Sequence, residues 1–173
     1  TKPEKFNFYK NFLTITEPTS EFPDGCYYFC VNELCNCISE TVTIDICDYT
    51  WETGPASGDG EWEVSESCYL VFGPGAAGDT QTIYATGILC EDFSYIITIG
   101  CNVTDARFKV VIGSFESAWF DSSGYHVVNN GYLPFDSNVF QIVGEATGTG
   151  GGIEISEIIV NFNGLGDVPS GGE

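Results

Sequence analysis

Residues able to do covalent chemistry are sparse in this chain. His126 is the single histidine, so a serine–histidine–aspartate arrangement would have only that base, and no GxSxG stretch accompanies it. The 25 acidic residues include no carboxylate pair in a context that marks a glycosidase. The glycine run at 148–152 precedes a strand pattern, whereas a phosphate cradle needs a following helix. The expectation is therefore a non-catalytic protein. Non-covalent recognition is better provided for. Trp119, Asp121, Tyr125, His126 and Tyr132 cluster in one loop-rich stretch, 114–136, together with Phe120, Asn129, Asn130 and Asp136. Aromatic planes that stack on the C–H faces of sugars, beside polar groups for hydroxyls, are what a carbohydrate site requires. The competing reading is that these aromatics form a satellite core under a loop folded over a sheet edge.

Two further constellations involve ligating groups. Cys26, Cys30, Cys35 and Cys37 fall within a twelve-residue window. Their spacing departs from the paired CxxC of zinc sites. With a turn at Asn32 to Cys35, Cys30 faces Cys37 across a hairpin, so a Cys30–Cys37 disulfide or buried thiols are favoured over metal. Cys68, Cys90 and Cys101 sit in apolar strand patterns, where a free cysteine behaves as a small hydrophobe. The even count of 8 cysteines suits an oxidising compartment. Among the acids, Asp48, Glu52 and Glu157 would converge on a calcium ion if the first and last strands were neighbours, and the DGE at 59–61 is an alternative. No cofactor is required on this reading; calcium is the one such a set would take.

These groups must be positioned by strands. The chain has 173 residues, 21 of them glycine and none methionine, with abundant Phe and Tyr, a balance that favours strands and turns. Alternating or short apolar runs punctuated by Gly, Asp and Asn predict strands at 62–72, 80–89, 94–103, 106–113, 125–128, 138–144 and 153–162. In 106–113, Phe108, Val110 and Ile112 share a face. In the last run the apolar parity changes, from Ile153 and Ile155 to Ile158, Val160 and Phe162, which predicts a β-bulge at Ser156–Glu157. The expected architecture is all-β: an extended arm at 1–20, a Cys-rich β-hairpin segment at 21–50, an antiparallel β-sandwich at 51–163 and a flexible tail at 164–173. Residues 48–61 read as a turn-rich linker, with Trp51 and Trp62 as packing anchors at its ends.

Charge separates the arm from the body. Lys2, Lys5 and Lys10 against Glu4 give residues 1–10 a net charge of +2; Arg107 and Lys109 against 24 acids give the rest −22, summing to the formal −20. Such a body repels nucleic acid and anionic membranes, and no apolar run is long enough for a transmembrane helix. Lys2, Lys5, Phe6, Phe8, Lys10 and Phe12 read as an assembly arm that docks on other copies or on neighbouring structural proteins. The chain opens without Met or a secretory leader, so a processed or trimmed product is expected. Asn102-Val-Thr104 is a glycosylation sequon that matters only in a eukaryotic secretory host.

The runs EWEVSESCYLVFG, TIYATGILCEDFSYIITIGCNV, RFKVVIG and VFQIVGEATGTGGGIEISEIIVNF together resemble the galactose-binding-like jelly rolls, including carbohydrate-binding modules, which also recur in phage virion proteins. The likeness covers Trp51 to Phe162. The family's usual acidic ending reads Ser156–Glu157 here, a departure at the family's calcium contact. The resemblance implies a jelly-roll sandwich, glycans among the partners, and an extracellular or virion-surface location. It implies a structural or attachment protein assembled through its arm, or alternatively the carbohydrate-binding module of a secreted glycan-active protein.

Overall fold

The computed structural model describes residues 39–89 and 94–163, together with the backbone of two short strands near the N-terminus. Those strands, β1 (Phe6–Tyr9) and β2 (Phe12–Ile15), pair antiparallel with Phe6 opposite Ile15 and Phe8 opposite Leu13. The arm therefore contains a hairpin, which is separate from both sheets of the body. The Cys26–Cys37 cluster, the Cys30–Cys37 pairing, Lys2, Lys5, Lys10, Cys90 and the tail lie outside the described residues.

The body begins with β3 (Ser39–Ile44), a short 3-10 turn at Ile46–Asp48, and β4 (Glu52–Thr53). There follow β5 (Trp62–Val64), β6 (Leu70–Gly75), β7 (Thr80–Thr86), β8 (Ser94–Thr104) and β9 (Ala106–Ile112). The chain continues through β10 (Phe115–Glu116), β11 (Gly124–Val127), β12 (Leu133–Pro134), β13 (Val139–Ala146) and β14 (Gly151–Asn163). A smaller sheet runs β10-β9-β13-β7-β4, and a larger one runs β11-β8-β14-β6-β5 with β12 added to β8 and β3 to β14. All of the strand pairs are antiparallel. This is the expected antiparallel β-sandwich.

Alternation along the strands builds the core between the sheets. Phe108, Val110 and Ile112 of β9 and Phe140 and Ile142 of β13 are fully buried from one side. Leu70 and Phe72 of β6, Ile97 and Ile99 of β8, and Ile153, Ile155, Ile158 and Val160 of β14 come from the other. Each such side chain stabilises the fold by about 1.5–3 kcal/mol relative to exposure. The parity change in β14 is resolved as predicted: Ile155 lies opposite Cys101 and Glu157 opposite Gly100, so Ser156 is the extra residue of a β-bulge. The bulge returns Ile158 and Val160 to the core after Ile153 and Ile155, and it turns Glu157 outward.

Some expectations are corrected. The run 62–72 is two strands, because the polar stretch from Ser65 to Tyr69 closes a turn in which the Ser65 N–H donates to the Tyr69 carbonyl and Cys68 takes a φ of 60°. The supposed linker is part of the sandwich: β4 extends the edge of the smaller sheet, and Ser57 bridges to Thr80. β3, where the second strand of the expected hairpin falls, pairs with the end of β14; the first strand of that hairpin lies outside the described residues. Cys68, read as a free thiol, forms a disulfide with Cys47, with a sequence separation of 21. It ties the 3-10 turn to the β5–β6 turn and suits an oxidising compartment. Cys101 is free and buried, and burial pushes its thiol pKa up. Both tryptophans anchor: buried Trp62 packs on Phe72 and donates from Nε1 to the Gln81 carbonyl at 2.9 Å, while Trp51 donates to the Ile46 carbonyl at 2.9 Å.

Candidate functional site

The aromatic set expected to form one site is divided by the fold. Phe120 bridges to Phe108 at the edge of the smaller sheet, its backbone exchanging hydrogen bonds with that residue at 2.8 and 2.9 Å. Phe108 points into the core, so its neighbours Arg107 and Lys109 point outward, and Trp119 comes to rest over them. The Arg107 Cζ is 4.4 Å and the Lys109 Nζ 4.9 Å from the Trp119 ring centroid, both cation–π contacts. Tyr125 lies on the outer face of the other sheet. His126 stacks on Phe120 with ring centroids 4.8 Å apart, and its Nε2 is 2.7 Å from the Ser122 carbonyl. Asp121 and Tyr132 are exposed in the flanking loops.

Several loop residues have structural duties. Phe115 packs on Phe135, and Phe135 on Tyr95, as an extension of the main core. Asn129 is buried: its Oδ1 accepts from the Ile97 N–H, and its Nδ2 donates to the carbonyls of Tyr95 and Gly131. Asp136 accepts from the Ser114 N–H at 2.9 Å, and its hydrogen bonds to Ser114 hold its pKa below the ordinary carboxylate value. The amide of Asn129 is thus spent on backbone and is not free for a sugar.

The smaller sheet's outer face carries more than Trp119. Register places Arg107 beside Glu145, Lys109 beside Val143, and Val111 beside Gln141; Gln141 in turn lies beside Tyr84, and Tyr84 beside Glu52. Arg107 Nη2 donates to both Glu145 oxygens, at 2.9 and 3.1 Å. Lys109 pairs with Glu116. The Tyr84 hydroxyl donates to Glu52 at 2.8 Å, and that hydrogen bond and the charge behind it push the phenol pKa up. Arg107 and Lys109 each pair with a carboxylate and both contact Trp119, while Glu52 accepts from a neutral phenol. Arg107, Lys109, Tyr84, Gln141 and Glu145 were not among the expected site residues. The signal was present, since the alternation that buries Phe108 and Val110 exposes Arg107 and Lys109.

The larger sheet's outer face is built on a row across β11, β8 and β14. Tyr125 lies beside Gly100, and Gly100 beside Glu157. The Tyr125 ring crosses Gly100 so that its hydroxyl donates to Glu157 at 2.6 Å. A Cβ on residue 100 would lie 2.8 Å from the ring, so glycine is what lets the ring lie down. Accepting carboxylate and negative charge push the Tyr125 phenol pKa up as well. The neighbouring row runs Glu63, Val71, Glu154, Asn102, with the Asn102 amide donating to Glu154 at 3.1 Å.

The three residues expected to hold calcium do not converge. Glu52 is on the outer face of the smaller sheet and Glu157 on that of the larger, with the core between them, while Asp48 is exposed in the 3-10 turn. The first and last strands are neighbours in the sense expected, β3 beside β14, but Glu52 lies in the other sheet. At 59–61 the Asp59 N–H donates to Asp79. Asp45, Cys47 and Cys68 approach within 4.8 Å of one another, and both thiols are already joined to each other.

No known protein family and no curated protein matches the sequence. Solved structures match in fold. A low-affinity xylan-binding module of family 86 from Roseburia intestinalis aligns with a TM-score of 0.48 and 8% identity, covering 73% of this chain and 96% of that one. A family 29 carbohydrate-binding module complexed with cellulohexaose aligns with a TM-score of 0.46 and 13% identity, over 70% of this chain and 91% of that one. A family two carbohydrate esterase from Cellvibrio japonicus aligns at 0.43 and 14%, and the match spans only 34% of the esterase.

Proposed function

We propose that this chain is a non-catalytic attachment module of a cell or virion surface that binds a neutral glycan on the outer face of its smaller sheet. The observation that carries this reading is Trp119, held against Arg107 and Lys109 on the outer sheet face, where each of those cations is paired with a carboxylate. A sugar ring needs a rigid aromatic plane with oriented donors and acceptors beside it, and the face presents them with little ordering left to do on binding. Titration calorimetry against xylan, cellulo- and manno-oligosaccharides is expected to give saturable binding. Trp119→Ala weakens it at least tenfold, about 1.4 kcal/mol, and Tyr125→Ala on the opposite face leaves it intact. Absence of binding across a broad glycan array, or a Trp119→Ala variant that binds normally, overturns the reading.

A second reading, favoured by the charge split, is that the +2 arm docks on the −22 body of another copy and so assembles the surface structure. Deleting residues 1–12 then lowers the mass measured by light scattering; an unchanged mass rejects assembly through the arm.

A further inference from the structure

We propose that the outer face of the larger sheet, around Tyr125, is the docking surface for the basic, aromatic N-terminal arm of a second copy of this chain. The inference rests on arm-mediated assembly and names its receptor. Three features of this face distinguish it. Among the described residues its acids lack cationic partners: Glu63, Glu154 and Glu157 lie on adjoining outward rows, whereas the only cations after residue 10, Arg107 and Lys109, are on the opposite side of the sandwich. It exposes apolar surface, with Tyr125 at 68% and Val127 at 54% exposure on one short strand, and half-buried Ile96 and Ile159 beside them. The Tyr125 ring is held down by Glu157, so an aromatic plane and carboxylates occur together, the combination that receives a basic side chain.

The arm supplies the complement. Lys2, Lys5 and Lys10 give it positive charge. Its two short strands pair Phe6 with Ile15 and Phe8 with Leu13, and a two-stranded hairpin of this length is marginal by itself and gains stability from a surface to pack on. It pairs with neither sheet of its own body among the described residues. Residues 16–38, the 23 between β2 and β3, can span up to about 75 Å, which is sufficient to reach a neighbouring molecule. Charges that meet within a Debye length of about 10 Å at 0.1 M salt make the association salt-sensitive.

The test is light scattering of the full-length chain over a concentration series at low and high salt. Assembly is expected to rise with concentration and fall with salt. Tyr125→Ala combined with Glu154→Lys, and separately Lys5→Glu combined with Lys10→Glu, each reduce the protein to monomer, with thermal unfolding as the check that the body still folds. Mixing a Glu154→Lys/Glu157→Lys variant with the Lys5→Glu/Lys10→Glu variant restores heterodimers through exchanged charge. If deleting residues 1–12 abolishes assembly while the Tyr125 and Glu154 changes leave it intact, the arm docks elsewhere and only this inference fails. If the full-length chain is monomeric at every concentration, or cross-links join the arm only to its own body, both the inference and arm-mediated assembly fail.

Discussion

The two outer faces of the sandwich use the same device in opposite electrostatic settings. On the smaller sheet Tyr84 donates to Glu52 at 2.8 Å; on the larger, Tyr125 donates to Glu157 at 2.6 Å. Around Tyr84 the other carboxylates are matched by cations, Glu145 with Arg107 and Glu116 with Lys109. Around Tyr125 no cation of the described residues lies on the face. Strand alternation produces both: one strand, β9, carries both cations of the body on its outward positions, and no other described strand has any. Sheet geometry is thus common to the faces, and the ligand class each suits is decided by where two residues fall in one period-two pattern. On the smaller sheet two of three carboxylates are matched by cations, whereas on the larger none is among the described residues, and the two proposed ligands follow that difference.

The change that breaks the comparison most completely acts on the core beneath it. Phe108 is fully buried, with its ring 5.3 Å from that of Phe120 and 6.3 Å from His126. Phe108→Ala is expected to cost about 3–5 kcal/mol, measured by denaturant unfolding, and to disorder the 119–120 edge with it. Glycan binding falls with stability. A loss of under about 1 kcal/mol would mean that the edge segment is held by its backbone pairing rather than by this packing.

The sandwich itself was legible because its strands alternate. Phe108, Val110 and Ile112 on one parity leave little choice of orientation, and the parity break between Ile155 and Ile158 could only be accommodated by a bulge. The site was less legible, for a physical reason. Trp119, Tyr125 and His126 are close in sequence, but the segment joining them passes from the smaller sheet's edge to the larger sheet's edge, so neighbours in sequence end on opposite faces. Glu52 and Glu157 were separated because β4 joins the smaller sheet and β14 the larger. Asn129 looked available because a polar side chain in a loop usually is; here it substitutes for missing strand partners of β8. The Cys47–Cys68 bond could not be read from spacing, since it depends on a turn at Ser65–Tyr69 that divides an apolar run.

A smaller change sharpens the comparison. Gly100→Ala places a methyl group 2.8 Å from the Tyr125 ring, and an exposed ring relieves the clash by lifting from the sheet. Its hydrogen bond to Glu157 is then lost, with little change in stability because water replaces it at this exposed position. The Tyr125 phenol pKa, raised in the native protein, falls back toward the ordinary tyrosine value, whereas that of Tyr84 stays raised. Tyrosine-selective NMR titration reads both in one sample. A Tyr125 titration unmoved by Gly100→Ala would show that the ring does not depend on the flat floor beneath it.

The smallest expected effect falls on both faces equally, because it concerns the joint between the sheets. Asp79 stands between β6 of the larger sheet and β7 of the smaller. Its carboxylate accepts from the Ala76 N–H at 2.8 Å and the Asp59 N–H at 3.0 Å. These bonds favour the charged form, the Ala76 contact most, and lower the pKa below the aspartate value of 3.8. A carboxylate depressed in the folded state stabilises it fully above the unfolded pKa and ceases to do so as pH falls through the folded one. Asp79→Ala therefore lowers the melting temperature modestly at neutral pH, and the gap to the native protein narrows on acidification. Glycan binding and assembly should weaken together if at all. A gap that stays constant into strongly acidic solution would mean that the turn is held by its backbone pairings, such as Thr80 with Ser57, and that the Asp79 charge contributes nothing to joining the sheets.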